Sequence, residues 1–250
     1  MCGRFVLSTP ADAIAEEFSA LLGGLALRPR YNIAPMQDIV AVRNLDGRRT
    51  LSLLRWGLIP FWAKDPKIAA RMINARSETA AAKPAFRDAL RKRRCIVPAS
   101  GFYEWKKEGS RNQPWYFHTG ARSGARAPSL AIAAVWESWR APHKRDERDQ
   151  KDEHVETCCL LTTAANRVCS PVHDRMPVLL DAAAVERWLD PSTTDAATLG
   201  DLLVPAAESA LVCHPVSIAV GSVRNDDARN IEDATKSQED AAEPLRDLPF

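Results

Sequence analysis

The stretch CIVPASGFYEWK, Cys95–Lys106, decides how the chain folds. Its branched and aromatic residues favour extended backbone, and small residues lead into Phe102, Tyr103, Glu104 and Trp105, as in a strand running into a pocket. Three further stretches of the same character follow: PWYFHTG (114–120), LAIAAVWESW (130–139) and VETCCLLTT (155–163), separated by turn or polar segments. Upstream, GRFVLS (3–8) reads as a strand. Thr9 and Pro10 open a helix through ADAIAEEFSALL, which Gly23-Gly24 stops. DIVAV (38–42) and LSLLRW (51–56) read as two strands joined by a turn at Asp46-Gly47. WGLIPFWAKDP (56–66) has no period and reads as a loop, and Pro84 opens a second helix, AFRDALRKR, whose basic end suits the negative pole of its dipole. After a loop holding Pro171 and Pro177, DAAAVERWLD and DAATLGDLL read as short helices and SALVCHPVS as a last strand. The pattern predicts a single α+β domain on a strongly bent, mainly antiparallel, barrel-like β-sheet with flanking short helices.

The bulk composition narrows the function classes. A chain of 250 residues with 46% hydrophobic and 26% charged residues can bury a substantial core. A net charge of only +2 means that any nucleic-acid site must come from local clustering of cations. No stretch approaches the roughly 18 to 20 apolar residues of a membrane span, and MCGRFVLSTP lacks the pattern of a signal peptide. The six scattered cysteines read as reduced thiols of a cytosolic protein, with Cys95, Cys158, Cys159 and Cys213 in core-like surroundings. Neither CxxC nor HExxH spacing is present, so neither a metal site nor any other cofactor is expected. RAPHKRDERDQKDEHVE (140–156) alternates charge signs and would have no face to bury as a helix, so it reads as a solvated loop inserted between two strands. From about residue 221 the chain is polar and weakly patterned.

Six segments carry candidate chemistry, and each has a plain structural alternative. If Met1 is trimmed, Cys2 bears a free α-amine beside its thiol. That amine has an unperturbed pKa of about 7.7 to 8.0, against about 10.4 for a lysine, so a useful fraction is nucleophilic near neutrality. It can attack an aldehyde to give a Schiff base, which the thiol can close into a five-membered thiazolidine. Alternatively, Cys2 is a small buried residue. Asn74, Arg76 and Ser77 offer donors for a phosphate or an oxyanion, or a helix cap. Glu104, set between aromatics, would be partly desolvated and raised toward the range of a proton donor, or would lie on a solvent face. His173, between Pro171 and Pro177, suits acid–base work or a structural hydrogen bond. Trp56, Phe61 and Trp62 flank Gly57 and Pro60 and could stack on unpaired bases, or pack in the core. The run Arg87, Arg91, Lys92, Arg93, Arg94 could contact phosphates or form a solvated helix face.

In this order, MCGRF, YNIAP (31–35), RWGLIPFWAK (55–64), INARSET (73–79), CIVPASGFYEW (95–105), TTAAN (162–166) and HDRMPVLL (173–180) resemble the SOS response-associated peptidase (SRAP) family. The resemblance runs from Cys2 to about residue 233 and leaves 234–250 as a polar tail. It implies a protein that shields abasic sites in single-stranded DNA through a thiazolidine crosslink at Cys2. Asn74 would sit beside the opened sugar, with Glu104 and His173 handling protons. Arg4, Arg76 and Ser77 would hold phosphates, Trp56, Phe61 and Trp62 would match a loop that wedges against bases, and Trp105 would lie beside the carboxylate. The family is also credited with removing its own N-terminal residues. A DNA lyase side activity, a monomeric state and a cytoplasmic location, nucleoid-associated on DNA, complete the expectation. Against it stand an N-terminal-nucleophile amidohydrolase, a thiol peptidase built on Cys2, His173 and Asn74, and a non-catalytic single-strand-binding module.

Overall fold

Asp46 and Gly47 both take left-handed backbone, with φ of 50° and 79°, the conformation a two-residue type I′ turn requires. The turn joins Asp38–Leu45 to Arg48–Trp56 in unbroken register from Leu45↔Arg48 to Asp38↔Arg55. The computed structural model describes residues 2–120, 128–141 and 154–235. Within them the strands are β1 (Arg4–Leu7), β2 (Arg30–Ile33), β3 (Asp38–Leu45), β4 (Arg48–Trp56), β5 (Asn74–Arg76), β6 (Arg94–Ala99) and β7 (Gly101–Glu108). They continue as β8 (Arg111–His118), β9 (Leu130–Arg140), β10 (His154–Ala164), β11 (Arg175–Pro177), β12 (Leu179–Leu180) and β13 (Val212–Pro215). The α-helices are short: α1 (Ala11–Glu17), α2 (Ser77–Ala80), α3 (Arg87–Lys92) and α4 (Ala182–Leu189).

Strands β4, β3, β6, β9 and β10 pair in that order, and β10 closes on β4 to make a five-stranded ring. The β4–β10 seam is parallel and the other joints are antiparallel. Leu130–Val135 on β9 and Thr157–Thr163 on β10 are buried at every position. Strands covered on both faces read as continuous apolar runs rather than alternating ones, which is why these two stretches show no period of two. A second sheet, ordered β13-β8-β7-β1-β2, carries the N-terminus. The decisive stretch supplies both sheets: β6 belongs to the ring, β7 to the second sheet, and only Ser100 separates them. Gly101 follows because a Cβ there would come within 2.5 Å of the Phe117 carbonyl oxygen.

The mainly antiparallel, barrel-like sheet with short helices is therefore the fold, and local corrections sit at its edges. The first helix ends at Glu17, short of the expected Gly23-Gly24 stop. Ser19 turns left-handed and Leu21 bridges to Thr50, so pairing with β4 overrides helical propensity. DAATLGDLL forms a 3₁₀ turn over Ala196–Leu202, with Asp195 accepting from the Ala197 N–H, in place of an α-helix. The weakly patterned segment after residue 221 docks firmly. The Asp226 carboxylate accepts the Tyr31 and Asn32 N–H groups at 2.5 and 2.8 Å, and Asn230 is buried. Residues 142–153 of the charged insertion and 236–250 of the tail lie outside the described residues.

Candidate active site

Strand β10 organises the site by changing neighbours along its length. Up to Leu160 it belongs to the ring; beyond it, β5 runs parallel on one edge (Leu160↔Asn74, Thr162↔Arg76) and β11 antiparallel on the other (Thr162↔Pro177, Ala164↔Arg175). This small extension displays Asn74 on one side and the loop holding His173 on the other.

Asn74 reaches the chain start directly. Its Nδ2 donates to the Cys2 carbonyl at 2.7 Å, while its Oδ1 is buried with no partner among the described residues. A buried unsatisfied acceptor costs about 1–3 kcal/mol, so this oxygen is set to take an incoming O–H or N–H. Cys2 itself is fully buried within the main core cluster. Burial pushes its thiol up, and the nearby Glu104 carboxylate adds to the effect.

Glu104 is reached through the β1–β7 ladder, one residue past the Arg4↔Tyr103 rung. Alternation turns Tyr103 and Trp105 to one face and Glu104, with Phe102, to the other. Glu104 is 3% exposed. Burial raises its pKa above the usual carboxylate range, and His173 draws it partway back. Cys169, in the turn that carries His173, is within electrostatic reach of both Glu104 and Cys2, and burial pushes its thiol up to about 12.

The His173 ring is oriented from its own loop. Its backbone N–H donates to Cys169 O at 3.0 Å, and its Nδ1 accepts the Arg175 N–H at 2.9 Å. The neutral ring therefore carries its proton on Nε2. Asp174 Oδ1 lies 3.0 Å from the same Nδ1 and becomes an ion-pair partner only when the ring is protonated. Arg175, whose importance the sequence reading missed although it lies inside HDRMPVLL, makes a two-pronged bond to Glu78 at 2.5 and 2.9 Å and a third to Thr162 O at 2.6 Å.

The remaining residues separate sharply. Arg76 is exposed, and Ser77 is buried at the start of α2, whose N-cap is Arg76 without a side-chain cap bond. Phe61 and Trp62 are 56% and 48% exposed, and Trp62 borders a surface depression with Lys64, Lys67 and Arg71. Trp56 is a correction. It has no exposed surface, its Nε1 donates to Ile73 O at 2.8 Å, and its ring meets Phe5 edge-on at 5.3 Å. It packs the core and has no face to offer a base. Arg4 donates to Asn32 Oδ1 and to the Val220 and Gly221 carbonyls, with its guanidinium 5.9 Å from the half-buried Trp105 ring. Arg94, at the end of the basic run, is also a correction: it is buried and donates to the Leu90, Arg91, Trp188 and Asp190 carbonyls. Among the described residues no group of three or more His, Cys, Asp or Glu could hold a metal ion, and no helix is long and apolar enough to cross a membrane. A cavity of about 840 Å³ beside α4 and β12 shares no lining residue with this site.

Fold and site together define a closed β-ring protein in which Cys2 is held by Asn74 and lies near Glu104 at the ring's open-edged extension. By sequence the chain belongs to the SOS response associated peptidase (SRAP) family, whose profile matches residues 1–223. It is 38% identical over 235 residues to the abasic site processing protein YoqW of Bacillus subtilis (strain 168), covering 93% of this chain and 99% of that one. The abasic site processing protein HMCES of Gallus gallus is 32% identical over 225 residues, covering 80% of this chain and 64% of its own. A crystal structure of a Bacteroides thetaiotaomicron protein superposes with a TM-score of 0.80 at 24% identity, over 93% of this chain and all of that one, a likeness of fold.

Proposed function

We propose that this protein handles abasic sites in single-stranded DNA by bonding to them covalently through Cys2. The observation that carries the reading is the gathering of Asn74, Glu104 and His173 around the second residue of the chain, in a family whose curated relatives are named for abasic site processing.

Removal of Met1, by the protein itself or by N-terminal trimming, frees the Cys2 α-amine. Only the open-chain aldehyde of the abasic sugar reacts. His173, with Nε2–H, and Glu104, whose burial favours its protonated form, move the protons that open the ring. The amine then attacks C1′, and water leaves as the Schiff base forms, with Glu104 donating to the departing hydroxyl. The orphaned Asn74 Oδ1 accepts a sugar hydroxyl. The Cys2 sulfur adds to the imine carbon and closes the thiazolidine, its proton passing to the ring nitrogen. β-Elimination from the Schiff base would cleave the strand and register as a lyase side activity.

The order of attack follows from the thiol. A peptidase would need Cys2 as a thiolate, yet burial and Glu104 both hold the proton on sulfur. The amine, with an ordinary pKa of about 7.7 to 8.0, is the better first nucleophile. Around it, the exposed Phe61 and Trp62 stack on bases, while Trp105 lies on the other face of β7 from Glu104 and backs the Arg4 guanidinium. Arg76, Ser77 and the remaining face of Arg4 hold phosphates, helped by Lys64, Lys67 and Arg71.

Denaturing electrophoresis with single-stranded DNA carrying one abasic site tests the reading. Protein lacking Met1 must retain the DNA through denaturation. Cys2→Ala, and protein with a residual N-terminal tag whose Cys2 nitrogen is an amide, must not. Retention by Cys2→Ala would overturn it.

A further inference from the structure

The two flanks of the site belong to different strands, and one side chain bolts them together. Arg175 begins β11, while Glu78 lies in α2, directly after β5. The Arg175 guanidinium is 13% exposed and gives both terminal nitrogens to Glu78, which is 51% exposed. Nη2 also holds Thr162 O and stands 3.4 Å from Thr162 Oγ1. Thr162 is the β10 residue paired with Arg76 on one side and Pro177 on the other. The same Arg175 gives its backbone N–H to His173 Nδ1. Sliding Arg175 along β11 would thus move the hydrogen bond that selects the His173 tautomer.

We infer that Glu78 is a positioning residue, which through Arg175 clamps the His173 loop to the strand bearing Asn74 and so presents His173 Nε2–H to the reacting sugar. A planar, two-pronged guanidinium–carboxylate pair fixes direction as well as distance. The Arg175 bond holds Glu78 ionised below the usual carboxylate range, so the clamp persists at neutral pH. The described groups that face the ring include Glu104 from β7, Asp174 from its own loop and the Arg175 backbone. Glu78 reaches it only through Arg175. Loosening the clamp should therefore misplace His173 without removing any group that touches DNA.

This inference rests on the proposed crosslinking reaction, and Glu78→Gln tests it. Gln keeps the shape but sets an NH₂ against Arg175 Nη2. With abasic single-stranded DNA, the maximal crosslinking rate should fall on the order of tenfold, while the half-saturating DNA concentration stays level or drops. Nitrogen NMR of the free protein should show the neutral His173 ring leaving the pure Nε2–H form. An unchanged maximal rate, or a loss confined to half-saturation, would overturn the inference. Should Glu78→Gln unfold, Glu78→Asp, which keeps the charge but not the two-pronged reach, must show the same division between rate and affinity. A wild-type protein that forms no adduct sinks the crosslinking reading instead, so the two failures are distinguishable.

Discussion

The two halves of β10 make an instructive contrast. Residues up to Leu160 sit in the closed ring, where Cys158 and Cys159 are buried thiols that form no disulfide. Burial drives both thiols far up. The half from Leu160 to Ala164 has traded its ring partners for the short strands β5 and β11, and with them come Asn74, Arg175 and the His173 loop. The first half is what holds the chain together. The second is built from strands of three residues, and its polar side chains are held by one another and by Cys2. Cysteine burial alone thus says nothing about chemistry: Cys2 is as buried as Cys158, and what distinguishes it is its place at the chain start beside a carboxylate and an amide.

Mutations should break this contrast along the same line. Cys2→Ala should reduce crosslinking to background. Cys158→Ala should leave crosslinking intact and appear only as a loss of thermal stability. Next in size, Glu104→Gln should slow adduct formation by roughly 10²- to 10⁴-fold, the range of a lost general acid–base group, measured at saturating DNA. The aromatics divide likewise. Trp62→Ala should weaken binding to undamaged single strands by about 1–3 kcal/mol without moving Tm. Trp56→Ala should cost about 3–5 kcal/mol of stability, read by denaturant unfolding. Equal effects of the two Trp changes on DNA binding would refute their separation into surface and core.

The smallest effect is a pH dependence. Glu104 has a folded-state pKa above its ordinary 4.5 because burial disfavours its charge. Its contribution to stability is therefore full below that ordinary value and is lost as pH rises through the raised one. Glu104→Gln removes the loss, so the Tm of the variant relative to wild type should climb between acid and neutral pH, at roughly 2–4 °C per kcal/mol for a chain of this size. A variant Tm that falls relative to wild type as pH rises would contradict the burial of an ionisable Glu104.

Much of the ring was legible because its signals are local. Asp46-Gly47 specifies its own turn, and the runs around Cys95, Leu130 and Val155 could only be buried strands once their lengths and branched residues were counted. The first helix was misread past Glu17 because a contact with Thr50, far along the chain, captures Leu21. The Trp56–Trp62 segment has no period, so nothing in it distinguished the ring that packs on Phe5 from the rings that face outward. Arg175 went unread for a related reason: its carboxylate partner lies 97 residues away. Asp226 and Asn230 were hidden in a segment whose polar composition concealed that Asp226 caps the β2 backbone and that Asn230 braces the same segment by donating to Asn225 O. Residue types that form bonds over long separations carry no local pattern to find.

The most direct test of the central claim is the intact mass of the product formed by the purified protein and a single-stranded oligonucleotide with one abasic site. The account predicts a heat-stable species whose mass is the chain without Met1 plus the oligonucleotide, less one water. Unmodified masses for both partners, from protein whose free Cys2 amine has been verified, would contradict it.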